Sequence, residues 1–239
     1  MLRLEDLFDK ASYFIQQKGS REHHVALLTL FEILEVASRA DLKMDLIQEL
    51  ERQRQALLAF RNNPEISEEA LSGALYEIEQ ASAALLGMTG KIGQYLREND
   101  WLMGIKSRSA IPGGVCEFDL PSYHHWLHQT AEVRGIALLG WLKPLLPLRD
   151  GLSIVLRLLR ASGSAEHQVA KCGAFQLTLG ASASQMVRIS LKLHAPFVPE
   201  ISANKYALNI RFTRPDNEHR PRHSEEGIDV PFDLTFCNL

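Results

Sequence analysis

The sequence predicts an α+β protein: an N-terminal and central helical bundle, with a small antiparallel β domain formed mainly by the C-terminal strands. Three observations lead there. Apolar residues recur at helical spacing up to about residue 163. Beyond Gly163 the period becomes two. Between the helical tracts, proline, glycine and capping residues stand where helices start and stop.

Taken in order, Leu4, Leu7, Phe8, Ala11 and Phe14-Ile15 line one stripe of a first helix. A second, about residues 24–38, carries Val25, Leu28, Phe31 and Val36 on a wide apolar face. A third, about residues 41–61, turns Leu42, Leu46, Leu50 and Leu57-Leu58 inward and stops at Asn62-Asn63-Pro64. Ser67 caps a fourth, with Glu68 and Glu69 at its positive end and Ile66 with Leu71 as a hydrophobic staple. It ends before Gly87, and a short helical segment follows at residues 92–103. Pro112-Gly113-Gly114 forces a turn, residues 115–118 are expected to be extended, and Pro121 suits the first turn of another helix. Two more helices follow, about residues 131–142 and 148–161, separated by Lys143-Pro144 and Pro147.

After Gly163, Val187, Ile189, Leu191 and Leu193 alternate with Arg188, Ser190, Lys192 and His194. Tyr206, Leu208, Ile210 and Phe212 alternate with Lys205, Ala207, Asn209 and Arg211, and Val230, Phe232, Leu234 and Phe236 with Pro231, Asp233 and Thr235. A weaker strand spans residues 175–179, and 214–227 reads as a polar loop. The expectation is one antiparallel sheet with a dry and a wet face. The domains are then 1–108 plus 121–163, helical, and 109–120 plus 164–239, β.

Composition narrows function. A net charge of −3 gives no global attraction to nucleic acid or anionic membrane. Cys116, Cys172 and Cys237 lie far apart without metal-ligand spacing and suit a reducing cytosol. Met1 to Gln16 carries acids and no signal-peptide pattern, and the uncharged apolar run from Gly135 to Leu142 is too short to span a bilayer. A cytoplasmic protein without a membrane partner is expected. Gly90-Lys91 resembles part of a phosphate loop, but Leu85 stands where the first glycine belongs and Ile92 where Ser or Thr belongs. His124 and His128 have zinc-ligand spacing, but His125 stands in place of the general-base glutamate and no third ligand is near. Glu117 and Asp119 share a face by simple alternation. No cofactor fingerprint, catalytic constellation or metal site is expected.

The polar phase of the strands is basic. Between Gln185 and Thr213 the charged residues are Arg188, Lys192, Lys205, Arg211 and one acid, Glu200. Arg97 and Arg108 flank the entry to the central turn, and Arg39 lies between two helices. Such a face fits an acidic peptide. A nucleic-acid-binding module using the same face is the alternative, but Tyr206, Phe212, Phe232 and Phe236 fall on the apolar phase and would leave no stacking platform.

Several stretches resemble the ZapD family of bacterial cell-division proteins: Asp45-Leu-Ile-Gln-Glu-Leu-Glu-Arg-Gln53, Ile92-Gly-Gln-Tyr-Leu-Arg-Glu98, Ser109-Ala-Ile-Pro-Gly-Gly-Val-Cys-Glu-Phe-Asp-Leu-Pro121 with His125-Trp-Leu-His128, and Ile201-Ser-Ala-Asn-Lys-Tyr-Ala-Leu-Asn-Ile-Arg-Phe212. The resemblance implies a non-enzymatic homodimer joined mainly through helices. It also implies a basic surface that captures the C-terminal tail of the tubulin-like protein FtsZ, so that one dimer cross-links two filaments at the mid-cell division site. On this resemblance Arg39 matches a basic residue of the tail-binding region, and Lys205 and Arg211 fall in its basic strand. Ala207 and Asp100 stand where family members can be basic. Members usually open with an additional segment containing Pro-Leu-Asn-Glu before the equivalent of Leu2-Arg3-Leu4-Glu5; lacking it would leave an open sheet edge.

Overall fold

The computed structural model describes residues 1–38, 41–61, 63–180, 184–215 and 228–238. The chain divides into two compact units, Met1–Leu156 and Arg157–Leu239.

The first unit is helical. Helix α1 (Leu2–Ile15) buries Leu4, Phe8, Ala11 and Ile15 against α2 (Ser20–Ala37), which answers with Leu27, Leu30, Phe31, Ile33 and Leu34. Each such side chain contributes about 1.5–3 kcal/mol by leaving water. Helix α3 (Leu42–Leu58) packs on α4 (Glu68–Gly87), and Ser67 caps α4 by accepting the Ala70 N–H. The segment read as one short helix is two, α5 (Gln94–Arg97) and α6 (Asp100–Ser109), because Asn99 accepts the Leu102 N–H and restarts the chain as an N-cap. Helices α7 (Pro121–Leu127), α8 (Ala131–Leu142) and α9 (Leu146–Ala161) follow. Lys143-Pro144 separates α8 from α9 as expected, through a 3-10 turn at Lys143–Leu145, whereas Pro147 falls within the first turn of α9, where a missing N–H costs nothing.

Residues 115–118 are not a strand. The chain from 111 to 119 is a series of turns, with Phe118 81 % exposed. Local bonds outcompete extension there: Cys116 Sγ donates to Gly113 O at 2.7 Å, and the Asp119 and Leu120 N–H groups donate to Cys116 O at 3.1 and 3.0 Å. Residues 109–120 accordingly lie within the first unit, with the helices. The Trp-Leu-His block that follows packs rings together. Tyr123 and Trp126 stack at 5.8 Å, Trp101 of α6 meets both edge-on at 6.1 and 6.0 Å, and Trp141 of α8 lies 5.8 Å from Trp126.

Among the described residues the second unit holds six strands in two sheets, where one sheet was expected. Strands β1 (Ala165–Ala170), β6 (Val230–Cys237) and β3 (Met186–Ser190) form one antiparallel sheet in the order β1-β6-β3. Strands β2 (Ala174–Thr178), β5 (Ala207–Thr213) and β4 (Val198–Ala203) form the other, in the order β2-β5-β4. Leu208, Ile210 and Phe212 of one sheet share a buried cluster with Val230, Phe232 and Leu234 of the other. Each sheet therefore turns its apolar face into a common core. A two-residue turn at Cys172-Gly173, both at positive φ (50° and 71°), leads from β1 to β2, and Asp229 braces it by accepting the Cys172 N–H and the Lys171 ammonium. Those contacts hold the Asp229 carboxyl below its ordinary value, the Lys171 bond contributing most.

Three expectations for the strands change. Leu193 lies past the end of β3 and is 86 % exposed, and Tyr206 precedes β5 and is 64 % exposed, so neither is core. Lys192 likewise lies beyond β3. Of the polar loop read at 214–227, residues 216–227 lie outside the described residues.

Candidate functional site

The seven basic residues expected to bind a partner fall into different settings. Arg39 lies outside the described residues. Arg108, in the last turn of α6, stands 3.8 Å from the Asp119 carboxylate. In the β unit, Arg188 is exposed on β3 opposite Thr235 of β6, while Arg211 is exposed on β5 opposite Glu200 of β4. Since both apolar faces turn into one core, Arg188 and Arg211 look out from different outer faces and do not form the single basic face expected of one sheet. Lys192 is exposed after β3, and Lys205 lies before β5 with its ammonium 4.7 Å from the Tyr206 ring centre.

Arg97 is the exception. Its guanidinium donates to Ile92 O at 2.7 Å and to Leu34 O at 3.2 Å. Leu34 lies in the last turn of α2, so Arg97 satisfies a carbonyl that the helix leaves without an internal partner. The loop 88–93 is thereby drawn against α2. Gly93 makes this possible: φ is +68°, and a Cβ there would stand 2.1 Å from Leu34 Cδ1. From the other side, Lys43 in the first turn of α3 donates to Met88 O at 2.7 Å.

The product is a cavity of ≈ 650 Å³ whose lining includes Ser38, Asp41, Lys43, Gly90, Lys91 and Arg97. An adjoining cavity of ≈ 590 Å³ shares Lys43, Gly90 and Lys91 and reaches Thr89, Tyr95 and Glu98. Lys43, Lys91 and Arg97 face one acid, Asp41, in the first of these. The Lys91 ammonium is exposed and has no side-chain partner among the described residues. Lys43 and Arg97 are held by neutral carbonyls, which leave their charges uncompensated. A carboxylate entering here meets three cations without displacing an internal ion pair. Sequence reasoning missed Lys43 and Lys91. The visible signal was Gly90-Lys91-Ile92-Gly93, tested only against the phosphate-loop pattern.

The histidines of α7 are engaged locally. His128 Nδ1 lies 2.8 Å from His124 O, His125 Nε2 2.9 Å from Gln129 Nε2, and His124 Nε2 3.7 Å from Glu117. Among the described residues no group of three or more His, Cys, Asp or Glu is placed to hold a metal ion. Nor is any described helix long and apolar enough to cross a membrane.

A second constellation is structural. Arg134 of α8 is 5 % exposed and has no carboxylate within ion-pair distance among the described residues. It donates to His23 Nδ1 at 3.1 Å, to Leu127 O at 3.1 Å, to Lys18 O at 2.8 Å and to Gln129 O. It thereby ties the α1–α2 connection to the end of α7. Beside it, His24 Nδ1 lies 2.6 Å from the Tyr123 hydroxyl, and burial lowers the His24 pKa and raises that of Tyr123.

Comparison with known proteins is consistent over the whole chain. The family model for ZapD, described as a cell division protein, matches residues 2–211. The chain is 71 % identical over 240 residues to the cell division protein ZapD of Dechloromonas aromatica (strain RCB), covering 100 % of this chain and 94 % of that one. It is 64 % identical over 239 residues to ZapD of Azoarcus sp. (strain BH72), with the same shares covered. ZapD of Aromatoleum aromaticum is 62 % identical over 239 residues, covering 100 % of this chain and 93 % of the relative. The chain belongs to the ZapD family of cell division proteins.

Proposed function

We propose that this protein is a non-enzymatic division factor that binds the C-terminal tail of FtsZ and, as a homodimer, cross-links FtsZ filaments in the cytoplasm at the division site. The observation that carries the reading is the cluster of Lys43, Lys91 and Arg97 around a cavity with a single facing acid. Arg188, Lys192, Lys205 and Arg211 on the β unit, and Arg39 and Arg108, are retained as further candidates from the sequence. Exposed charge pairs contribute about 0–1 kcal/mol each. One site therefore binds modestly and weakens with salt. Two sites on one dimer recover strength through effective concentration. A surface for self-association is available on α8, where Val133, Ile136 and Leu139 are 48, 65 and 55 % exposed at helical spacing.

The test is sedimentation of FtsZ polymers with the full chain. Polymers of intact FtsZ carry the protein into the pellet, and polymers of FtsZ lacking its last residues leave it in solution. Equal pelleting with both contradicts tail recognition.

A further inference from the structure

We propose that the outer edge of β3 is a docking edge, to which an extended acidic peptide adds as a further strand. The inference rests on the acidic-tail reading and gives such a peptide a second, separate point of attachment on the β unit. Among the described residues four strands are sheet edges, β1 and β3 in one sheet, β2 and β4 in the other. An unpaired edge offers a row of backbone donors and acceptors to any chain that matches it. Three of the four are poor hosts for an acidic strand. Strand β4 carries Glu200 and also Pro199, which lacks a donor. Strand β1 carries Glu166, and β2 presents neutral Ala174, Gln176 and Thr178 on its outward phase. Only β3 combines a cation with no acid of its own: Arg188 is exposed at its centre, and Lys192 follows its end.

The backbone of β3 is oriented for this. The Gln185 N–H, one residue before the strand, donates to Asn238 Oδ1 at 2.8 Å and ties the start of β3 to the end of β6. Strand alternation, carried from the Lys171–Ala174 turn through β1 and β6, turns the N–H and C=O groups of Met186, Arg188 and Ser190 toward β6 and those of Val187 and Ile189 toward the open edge. The side chains sort the incoming residues. Val187 and Ile189 are half-buried on the core side, where a partner strand would cover them further, and Arg188 and Ser190 lie on the outward side. The preferred peptide therefore alternates apolar and polar residues and sets a carboxylate beside Arg188, where opposite charges on neighbouring strands attract.

The experiment uses the full chain and a fluorescent peptide of the FtsZ C-terminal tail. Ile189→Pro removes one outward donor and leaves the β3–β6 ladder intact; Ile189→Val keeps that donor. Loss of one backbone bond is expected to weaken binding about two- to tenfold in Ile189→Pro, with Ile189→Val at wild-type affinity. Arg188→Glu weakens it about threefold or more at low salt. Should Ile189→Pro fail to fold, amide hydrogen exchange of the wild-type protein decides: the peptide must slow exchange at Val187 and Ile189. A wild-type chain that does not bind the tail overturns both the functional reading and this one. Binding that is unchanged in Ile189→Pro and Arg188→Glu, or that leaves the Val187 and Ile189 amides unprotected, overturns strand addition alone.

Discussion

Two corners of the helical unit hold arginines in opposite ways. At the α7–α8 corner, Arg134 is buried and its donors are directed to three carbonyls and the His23 ring. At the α2–α3 corner, Arg97 also donates to carbonyls, but it does so from the rim of a cavity beside Lys43 and the exposed Lys91. The first arrangement spends a cation on holding four chain segments in register. The second uses neutral acceptors to fix cations in place and leaves their charge to act on something else. Partner content and exposure separate a structural cation from a binding one better than residue type does.

The comparison breaks most visibly at Arg134. Arg134→Ala leaves several buried carbonyls without donors, at about 1–3 kcal/mol for each unsatisfied group. Urea unfolding should show a loss of about 3 kcal/mol or more, whereas the molecules that remain folded still pellet with FtsZ filaments. A loss below about 0.5 kcal/mol, the scale of an ordinary surface substitution, would remove Arg134 from its organising role.

Gly93→Ala tests how the loop is held at the other corner. The added Cβ meets Leu34 at 2.1 Å and the backbone must keep φ at +68°. A loss of about 1–3 kcal/mol is expected, together with weaker tail binding because Lys91 is displaced. Unchanged affinity in this variant would uncouple the loop from the site.

A smaller effect is pH-dependent. Burial holds His24 below its ordinary 6.5. The unfolded chain therefore takes up the proton first as pH falls. The contribution of this group is complete above about 6.5 and is lost as pH drops from there toward the folded value. Urea midpoints measured between pH 7.5 and 5.5 should fall less steeply in His24→Gln than in the wild type, an interval chosen about the ordinary histidine value. Parallel slopes would assign the pH dependence to other groups.

Much of the helical unit was legible because its punctuation is local. Ser67 caps α4 and Pro121 opens α7, and each signal needs only a few neighbouring residues to operate. The β unit was less legible because period two reveals which face a residue takes and not which strand it pairs with. That is why two sheets were read as one. Strand β1 escaped notice because Ala165-Glu-His-Gln-Val-Ala170 lacks a clean apolar alternation, and β4 because Pro199 argues against a strand. The candidate site was legible only at Arg97. Lys43 and Lys91 lie far apart in sequence and meet through the placement of the 88–93 loop, and no pattern in either segment announces that meeting.

The most direct measurement pairs stability with affinity in one variant. Lys91→Glu reverses an exposed charge that supports nothing in the fold, so its urea midpoint should stay within about 0.5 kcal/mol of wild type. Its binding to the FtsZ tail peptide at low salt should fall about tenfold, since repulsion from the new carboxylate adds to the lost attraction. Wild-type affinity in a normally folded Lys91→Glu protein would contradict the assignment of the α2–α3 corner as the binding site.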